Sequence, residues 1–204
     1  MRTLAFAVVL LAFVGFSLLG CDDASQPPVA PTDQAVQEPA SLEKCTTTNF
    51  TFTHSPTGLT GDGTVVLVPG GKWQRAKWQI KKYGVIEAVS ALKPSGAPDL
   101  LVSGTMVHYL SGTLDATTGE GPVHGTFTLT PLADVRGGVW EGTYEGYRSK
   151  TSDPNVFTLP LKVVGHGKGG TIHGMQLREE SMLTAYGTPP YYWTGVGEGS
   201  YKSH

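Results

Sequence analysis

Glycine alternates with larger residues in several segments of this chain. Residues 140–146 read Trp-Glu-Gly-Thr-Tyr-Glu-Gly, and residues 193–199 read Trp-Thr-Gly-Val-Gly-Glu-Gly. Because the side chains of a strand point alternately to its two faces, these segments place small and bulky residues in regular order on a sheet. Glycine weakens the interior of a strand, but it permits the strong coiling that small closed barrels need at their corners. The pattern therefore predicts an all-β fold, a small antiparallel β-barrel.

Short runs of alternating polar and apolar residues follow one another from residue 49 onward, with turn-forming residues between them. The strand candidates are 49–53, 63–68, 75–81, 84–92, 100–114, 123–130, 140–148, 156–164, 171–177 and 191–201. The third candidate also fits one face of a helix, because apolar residues recur there at helical spacing, namely Trp73, Ala76, Ile80 and Tyr83. About eight to ten strands with such regular turns indicate a sandwich or a barrel, and the glycines favour the barrel.

Three of these segments are similar to strands of a known family. Residues 121–130, 138–146 and 165–176 combine glycine with aromatic residues and histidine. They resemble the repeated glycine- and aromatic-rich strands of uncharacterised bacterial proteins that are similar to the allene oxide cyclases, over about residues 100–200. The resemblance implies a calycin-like, allene-oxide-cyclase-like barrel. It implies no activity, because the shared motifs contain no catalytic group.

The N-terminus has the features of an export signal. Arg2 precedes an uncharged apolar stretch at 4–19, which is too short for a bilayer span because about 20 apolar residues are needed. The stretch ends in Leu18-Leu19-Gly20-Cys21, which resembles the lipobox of bacterial lipoproteins. That resemblance implies that residues 1–20 are a removed signal peptide and that an acylated Cys21 holds the protein on the lipid bilayer. The alternative is an ordinary secretory signal with a chance cysteine.

The chain from Cys21 onward divides into a spacer and one domain. Residues 21–44 contain four prolines among small polar residues and carry a net charge of −4, which is typical of a disordered spacer. Residues 45–204 have the size of a single domain. Their net charge of +1 is too small to indicate nucleic-acid binding. Asp22 resembles the inner-membrane retention signal of enterobacterial lipoproteins. The expected location is therefore extracytoplasmic and lipid-anchored, with the inner membrane favoured.

The chain has two cysteines, and their number limits its chemistry. If Cys21 is acylated, Cys45 has no partner within the chain. We expect Cys45 to be buried and inert, and the alternative is a bridge to another molecule. A cysteine nucleophile or a multi-cysteine zinc site is not predicted.

Aromatic and histidine residues on the predicted inner faces are candidates for a ligand site. Trp140 and Tyr144 share a strand face with glycines that leave room for an apolar ligand, although the two rings could equally fill the barrel. His108 alternates with apolar residues, so it is a weak candidate for a catalytic acid–base group or a polar anchor; otherwise it is simply hydrogen-bonded in the core. Trp193 is also a ligand-site candidate. It ends an aromatic cluster beside a turn, where exposed rings could bind a sugar or a partner protein, or could close one end of the barrel.

Two further patterns carry weaker signals. His166 and His173 flank the glycine-rich residues 167–170, but the spacing matches neither a zinc site nor a phosphate-binding loop, so we predict a turn and expect no metal and no cofactor. A basic run is interleaved with aromatic residues and comprises Lys72, Arg75, Lys77, Lys81 and Lys82. It could contact anionic lipid headgroups, or it could be a solvated strand face.

Together these features predict a membrane-anchored envelope lipoprotein that acts as a binding or accessory module. Its expected partners are the bilayer, a small apolar ligand and possible envelope proteins. The first alternative is an isomerase- or cyclase-type enzyme that acts on a small apolar substrate in the barrel, and the second is a structural or assembly component. Binding is favoured over catalysis because no Ser-His-Asp order, paired-carboxylate motif or metal set is recognisable in the sequence.

Overall fold

The computed structural model describes residues 45–72, 74–133, 136–186 and 193–203, and these residues form an all-β structure. The strands are β1 (Thr46–Leu59), β2 (Thr64–Val68), β3 (Lys77–Leu92), β4 (Gly104–Asp115), β5 (Gly121–Pro131), β6 (Val139–Lys150), β7 (Val156–Lys168), β8 (Gln176–Tyr186) and β9 (Trp193–Ser203). A short 3₁₀ helix, Gly170–Ile172, connects β7 to β8. Across these ranges no helix has the length and the apolar character needed to cross a membrane.

Eight strands close into an antiparallel barrel, as the sequence predicts. From β3 to β9 each strand pairs with the next one in the chain, and β1 closes the barrel because it pairs with both β9 and β3. Among the described residues β2 pairs only with β3 and is therefore an extra edge strand. All nine strands and the apolar core belong to one compact unit, Glu43–His204, so the strand pairings and the core packing lie within it.

A β-bulge divides β3 into two parts. The pairing of β3 with β4 shifts register between Ile80 and Tyr83, and Lys82 within the bulge has a φ of 49°. Residues 77–81 pair with β2, whereas residues 85–92 pair with β1. A bulge bends its strand and increases the local twist, which suits a strand that changes partner. The helical interpretation of residues 73–83 is wrong, because residues 77–83 lie in this strand; Trp73 lies outside the described residues.

Other predicted strand boundaries need correction. The candidates 75–81 and 84–92 are one strand, and residues 100–103 form a turn before β4. The candidate 171–177 is wrong over most of its length, because a 3₁₀ helix and a turn precede β8. Most of β8 was not predicted from the sequence. Its inward-facing positions include Glu179 and Ser181, and polar residues on the inner face hide the alternation that identifies a half-buried strand.

Glycines on β9 make room for aromatic side chains of β1. A Cβ atom at Gly197 would lie 2.6 Å from Cζ of Phe52, and one at Gly199 would lie 2.5 Å from Cζ of Phe50. Both phenylalanine rings are buried in the core. The alternating glycines are therefore needed for core packing, because they allow large rings of one strand to lie over the backbone of its neighbour.

One end of the barrel is closed by packed side chains. Trp140 is fully buried there, and its Nε1 donates a hydrogen bond of 2.8 Å to the carbonyl oxygen of Leu101. Its ring lies 6.1 Å from that of Tyr201, whose hydroxyl donates a 3.3 Å bond to the buried Asp99. Ile172 of the 3₁₀ helix is fully buried as well. The interior space that remains therefore lies toward the other end.

Residue Cys45 differs from its expected state. It is half-buried and disulfide-bonded rather than a buried free thiol. Residues 1–44, which include Cys21, the predicted signal peptide and the spacer, lie outside the described residues.

Candidate functional site

A cavity of about 280 Å³ opens at the end of the barrel opposite Trp140. Its wall is mainly apolar and comes from strands on all sides, with Ile80, Leu110, Leu114, Val123, Leu159 and Leu183 among its residues. His108, Tyr144 and Trp193 also line the cavity, and all three are buried. An apolar wall with a few polar groups is the usual composition of a site for a small molecule.

The carboxylate of Glu87 is the centre of a polar cluster inside the barrel. Nδ1 of His54 donates a hydrogen bond of 3.0 Å to Oε2 of Glu87, and Nε1 of Trp193 donates one to Oε1. Nε2 of His108 lies 3.8 Å from the same Oε1, which is too far for a hydrogen bond. These side chains come from four different strands, β1, β3, β4 and β9, so only the closed barrel brings them together.

Protonation in this cluster follows from burial and from neighbouring charge. Burial opposes ionisation of Glu87, but the hydrogen bond from His54 and the nearby imidazoles outweigh it and lower the pKa of Glu87. Burial also opposes the His54 cation, yet its bond to Glu87 and the carboxylate charge raise the pKa of His54. Burial lowers the pKa of His108, and Glu87 offsets this only in part. The arrangement is therefore an imidazolium–carboxylate pair beside a neutral imidazole.

A second set of polar groups surrounds a smaller internal space of about 20 Å³. Tyr144, Glu179 and Ser181 line it together with His108. Within the described part of the chain, the Tyr144 hydroxyl, Nε2 of His108, Oε2 of Glu179 and Oγ of Ser181 are buried without a hydrogen-bond partner. Burial raises the pKa of Tyr144, and it raises the pKa of Glu179 to about 7 although the His54 charge acts in the opposite direction. The space thus has one carboxyl group that changes protonation near neutral pH.

The structure brings together three of the four ligand-site candidates. His108 lies between two of them, with its ring 5.6 Å from that of Tyr144 and 5.5 Å from that of Trp193. Trp140 is not in this group. It shares a strand face with Tyr144, but four residues of strand separate the two by about 13 Å, and Trp140 belongs to the closed end.

Four polar residues of the site were missed by the sequence analysis, namely His54, Glu87, Glu179 and Ser181. A signal was present for the first two. His54 continues the inward alternation of Phe50 and Phe52, and Glu87 lies between the buried Val85 and Val89. A polar residue at an inward position of an apolar alternation is therefore the pattern that would have identified them.

The two other histidine candidates lie elsewhere. His166 and His173 are exposed, and Nδ1 of His173 accepts a 3.4 Å hydrogen bond from the backbone nitrogen of Gly169. In the part of the chain that the structure describes, no group of three or more histidine, cysteine or acidic residues is arranged to hold a metal ion.

The fold and the site together define a closed antiparallel β-barrel with an apolar cavity above a buried cluster of imidazole and carboxyl groups. Comparison of the chain with protein families, with curated proteins and with solved structures gives no match. The chemistry must therefore be inferred from the geometry. The cavity can hold a small apolar molecule, and the groups beneath it can donate or accept a hydrogen bond or a proton.

Proposed function

We propose that the barrel binds a small, mainly apolar molecule with one uncharged hydrogen-bonding group, such as a hydroxyl or a carbonyl, directed toward the interior. The observation that carries this proposal is the position of His108 and Tyr144. Both line the apolar cavity, and each has a buried polar atom without a partner among the described residues. An unsatisfied buried polar atom costs about 1–3 kcal/mol, so a ligand group that bonds to both atoms recovers that free energy.

The charges inside the barrel favour an uncharged ligand group. A ligand carboxylate would be repelled by Glu87, whose charge is already compensated by His54. A ligand ammonium would compete with His54 for that same carboxylate. A hydroxyl or carbonyl avoids both costs and needs only the neutral His108 and the Tyr144 hydroxyl.

The N-terminal sequence adds a location to this proposal. The barrel would be an envelope lipoprotein module outside the cytoplasm, held by an acylated Cys21 through the spacer at 21–44, with Asp22 favouring the inner membrane. The support is the lipobox resemblance and the composition of the spacer. Acylation of Cys21 and the disulfide of Cys45 would exclude each other, because the chain has only two cysteines. Tethered in this way, the module would meet its ligands within reach of the bilayer.

Catalysis of the isomerase or cyclase type is the second candidate function. The observation that favours it is the pair of His108 and Glu179, which line the same small internal space. A neutral imidazole can accept a proton, and a carboxyl group with a pKa of about 7 can donate one at neutral pH. Such a pair suits a reaction that moves a proton within an apolar substrate. His108 lines both the cavity and this space, so it would be the group that contacts the substrate, and Glu179 would exchange protons within the smaller space.

Two matched probes, naphthol and naphthalene, test the binding proposal because they differ by one hydroxyl group. We expect naphthol to bind to residues 43–204 about tenfold more tightly than naphthalene, as measured by isothermal titration calorimetry. Tyr144→Phe should remove most of this difference. Tyr147→Phe is the control, since Tyr147 lies on the same strand but is half-exposed on the outer face.

Equal affinity for the two probes, or an equal effect of both tyrosine substitutions, would contradict a polar anchor in the cavity. Native mass spectrometry of the protein purified from its own host provides an independent measurement. A small molecule that co-purifies reproducibly with the wild type and is lost from Tyr144→Phe is the expected result. Retention of that molecule by the Tyr144→Phe variant would place it outside the cavity.

A further inference from the structure

An apolar edge strand extends beyond the closed barrel. We call β2 together with residues 77–82 of β3 the β2–β3 extension. Every residue of β2 is exposed, including four successive apolar residues, Val65–Val68, with exposures between 37% and 51%. Trp78, which pairs with Leu67, is also 37% exposed. Val65 and Leu67 share one face of this edge with Trp78, and Val66 and Val68 lie on the other face. Both faces of the edge therefore expose apolar side chains, which is typical of an interaction site.

Positive charge accompanies the apolar residues of the extension, with Lys77 and Lys81 on the face that carries Val66 and Val68. Lys77, Lys81 and Lys82 are exposed on the extension, and Lys72 and Arg75 lie in the connection that leads to it. Asp62 is the only acidic residue in the sequence between 60 and 83, so this segment has a net charge of +4, whereas residues 45–204 together carry only +1. Arg75 lies 3.7 Å from Asp115, which belongs to β4. The domain therefore concentrates its positive charge beside its most exposed apolar strand.

We propose that the β2–β3 extension binds the surface of an anionic lipid bilayer. Aliphatic side chains, an exposed tryptophan and a group of lysines are the combination that stabilises a protein segment at the headgroup region. A second copy of the domain fits less well, because two extensions of +4 would repel each other when they meet. This contact with the bilayer requires neither a ligand in the cavity nor acylation of Cys21.

Contact between the β2–β3 extension and a bilayer would place the cavity entrance next to the lipid. Val65 and Trp78 belong to the exposed surface and also line the open cavity near its entrance. A bilayer that touches the extension therefore lies close to the cavity entrance. A molecule dissolved in the lipid would reach His108 and Tyr144 along an apolar path.

Vesicle binding by residues 43–204, which cannot be held by Cys21, tests the proposal. We expect binding to vesicles that contain phosphatidylglycerol and no binding to vesicles of phosphatidylcholine alone, measured by co-sedimentation at low salt. The double variant Lys77→Glu with Lys81→Glu should bind more than about tenfold more weakly, because each cation contributes several-fold to the affinity. Val66→Ser should weaken binding with little effect on folding, since Val66 is 51% exposed.

The matched control is Lys93→Glu with Lys202→Glu, which makes the same change in net charge at two exposed lysines outside the extension. Equal loss of binding in the control variant would show a general charge effect and overturn the proposal, as would absence of wild-type binding at low salt. Analytical ultracentrifugation tests whether a second copy of the domain, rather than a bilayer, covers the β2–β3 extension. A dimer that the Val66→Ser substitution dissociates would identify a second copy on this surface and would also overturn the proposal.

Discussion

Nδ1 of His54 donates a hydrogen bond of 3.0 Å to Oε2 of Glu87 and so joins β1 to β3 inside the barrel. The pairing of these two strands is what closes the eight-stranded barrel. The two residues are 33 positions apart in the sequence, and both side chains are almost completely buried. Because loss of one charge would leave the other charge buried without its partner, we expect the stability of the closed barrel to depend on pH through this pair.

Glu87→Gln should destabilise the barrel and change its response to acid. The substitution leaves His54 without its counter-charge, at a cost of about 3–5 kcal/mol. The folded-state pKa of Glu87 lies below the ordinary value of 4.5, so its contribution is present above about pH 4.5 and is lost as the pH falls through the folded pKa. Urea unfolding across the acid range should show that this loss is absent from the variant. Glu145→Gln, at an exposed position of β6, should change the free energy of unfolding little.

Glu179 should contribute a pH dependence of stability opposite in direction to that of Glu87, and Glu179→Gln should remove it. Burial raises the pKa of Glu179 from 4.5 to about 7, so the folded protein favours its protonated form. Wild-type stability should therefore fall by up to about 3 kcal/mol as the pH rises from below 4.5 to above 7, because the unfolded chain ionises first. The Glu179→Gln variant should lose this decline. Glu180→Gln, at the adjacent outward-facing position, should retain it, and a decline that persists in Glu179→Gln would refute the assignment.

Gly197→Ala tests why glycine alternates along β9. The added Cβ atom would lie 2.6 Å from Cζ of Phe52 and 2.5 Å from the backbone oxygen of Glu180, so either the ring or the strand must move. We expect a loss of about 1–3 kcal/mol in the free energy of unfolding, typical of an overpacked core. Gly71→Ala is the control, because among the described residues no atom beyond its chain neighbours lies within 4 Å of the added Cβ there. Thermal unfolding of the two variants gives the comparison.

Acylation of Cys21 should determine the state of Cys45. The chain has two cysteines, so a disulfide between them and a lipid thioether on Cys21 are mutually exclusive. If the lipoprotein interpretation is correct, membrane-purified protein will carry acyl mass on Cys21, and Cys45 will react with a maleimide after unfolding in the absence of reductant. Intact mass spectrometry distinguishes this from an unlipidated chain with a Cys21–Cys45 disulfide, which would refute acylation. Cys21→Ser should release the protein from the membrane fraction.

Strand prediction succeeded where the inner face of a strand is apolar and failed where it is not. In β5 the inward positions Val123, Phe127 and Leu129 alternate with outward polar residues, so the strand is evident from the sequence. In β8 the inward positions include Glu179 and Ser181, and the same rule detects no strand. Glu179 and Ser181 are the candidate site residues of β8, and they are also the reason that this strand was not predicted. A buried carboxyl group breaks the apolar alternation on which strand prediction depends.

The sequence by itself determined the all-β class and favoured a barrel over a sandwich, because side-chain alternation and glycine spacing are local properties of each strand. It also identified His108 and Tyr144 as inward-facing candidates and Trp193 as a ligand candidate in an aromatic cluster beside a turn. Only the tertiary structure decided that these three meet at a cavity while Trp140 closes the opposite end, and that His54 and Glu87 form an ion pair among them. The physical reason is that alternation specifies the face of a strand on which a side chain lies, whereas its height along the barrel depends on the registers of all the strands together.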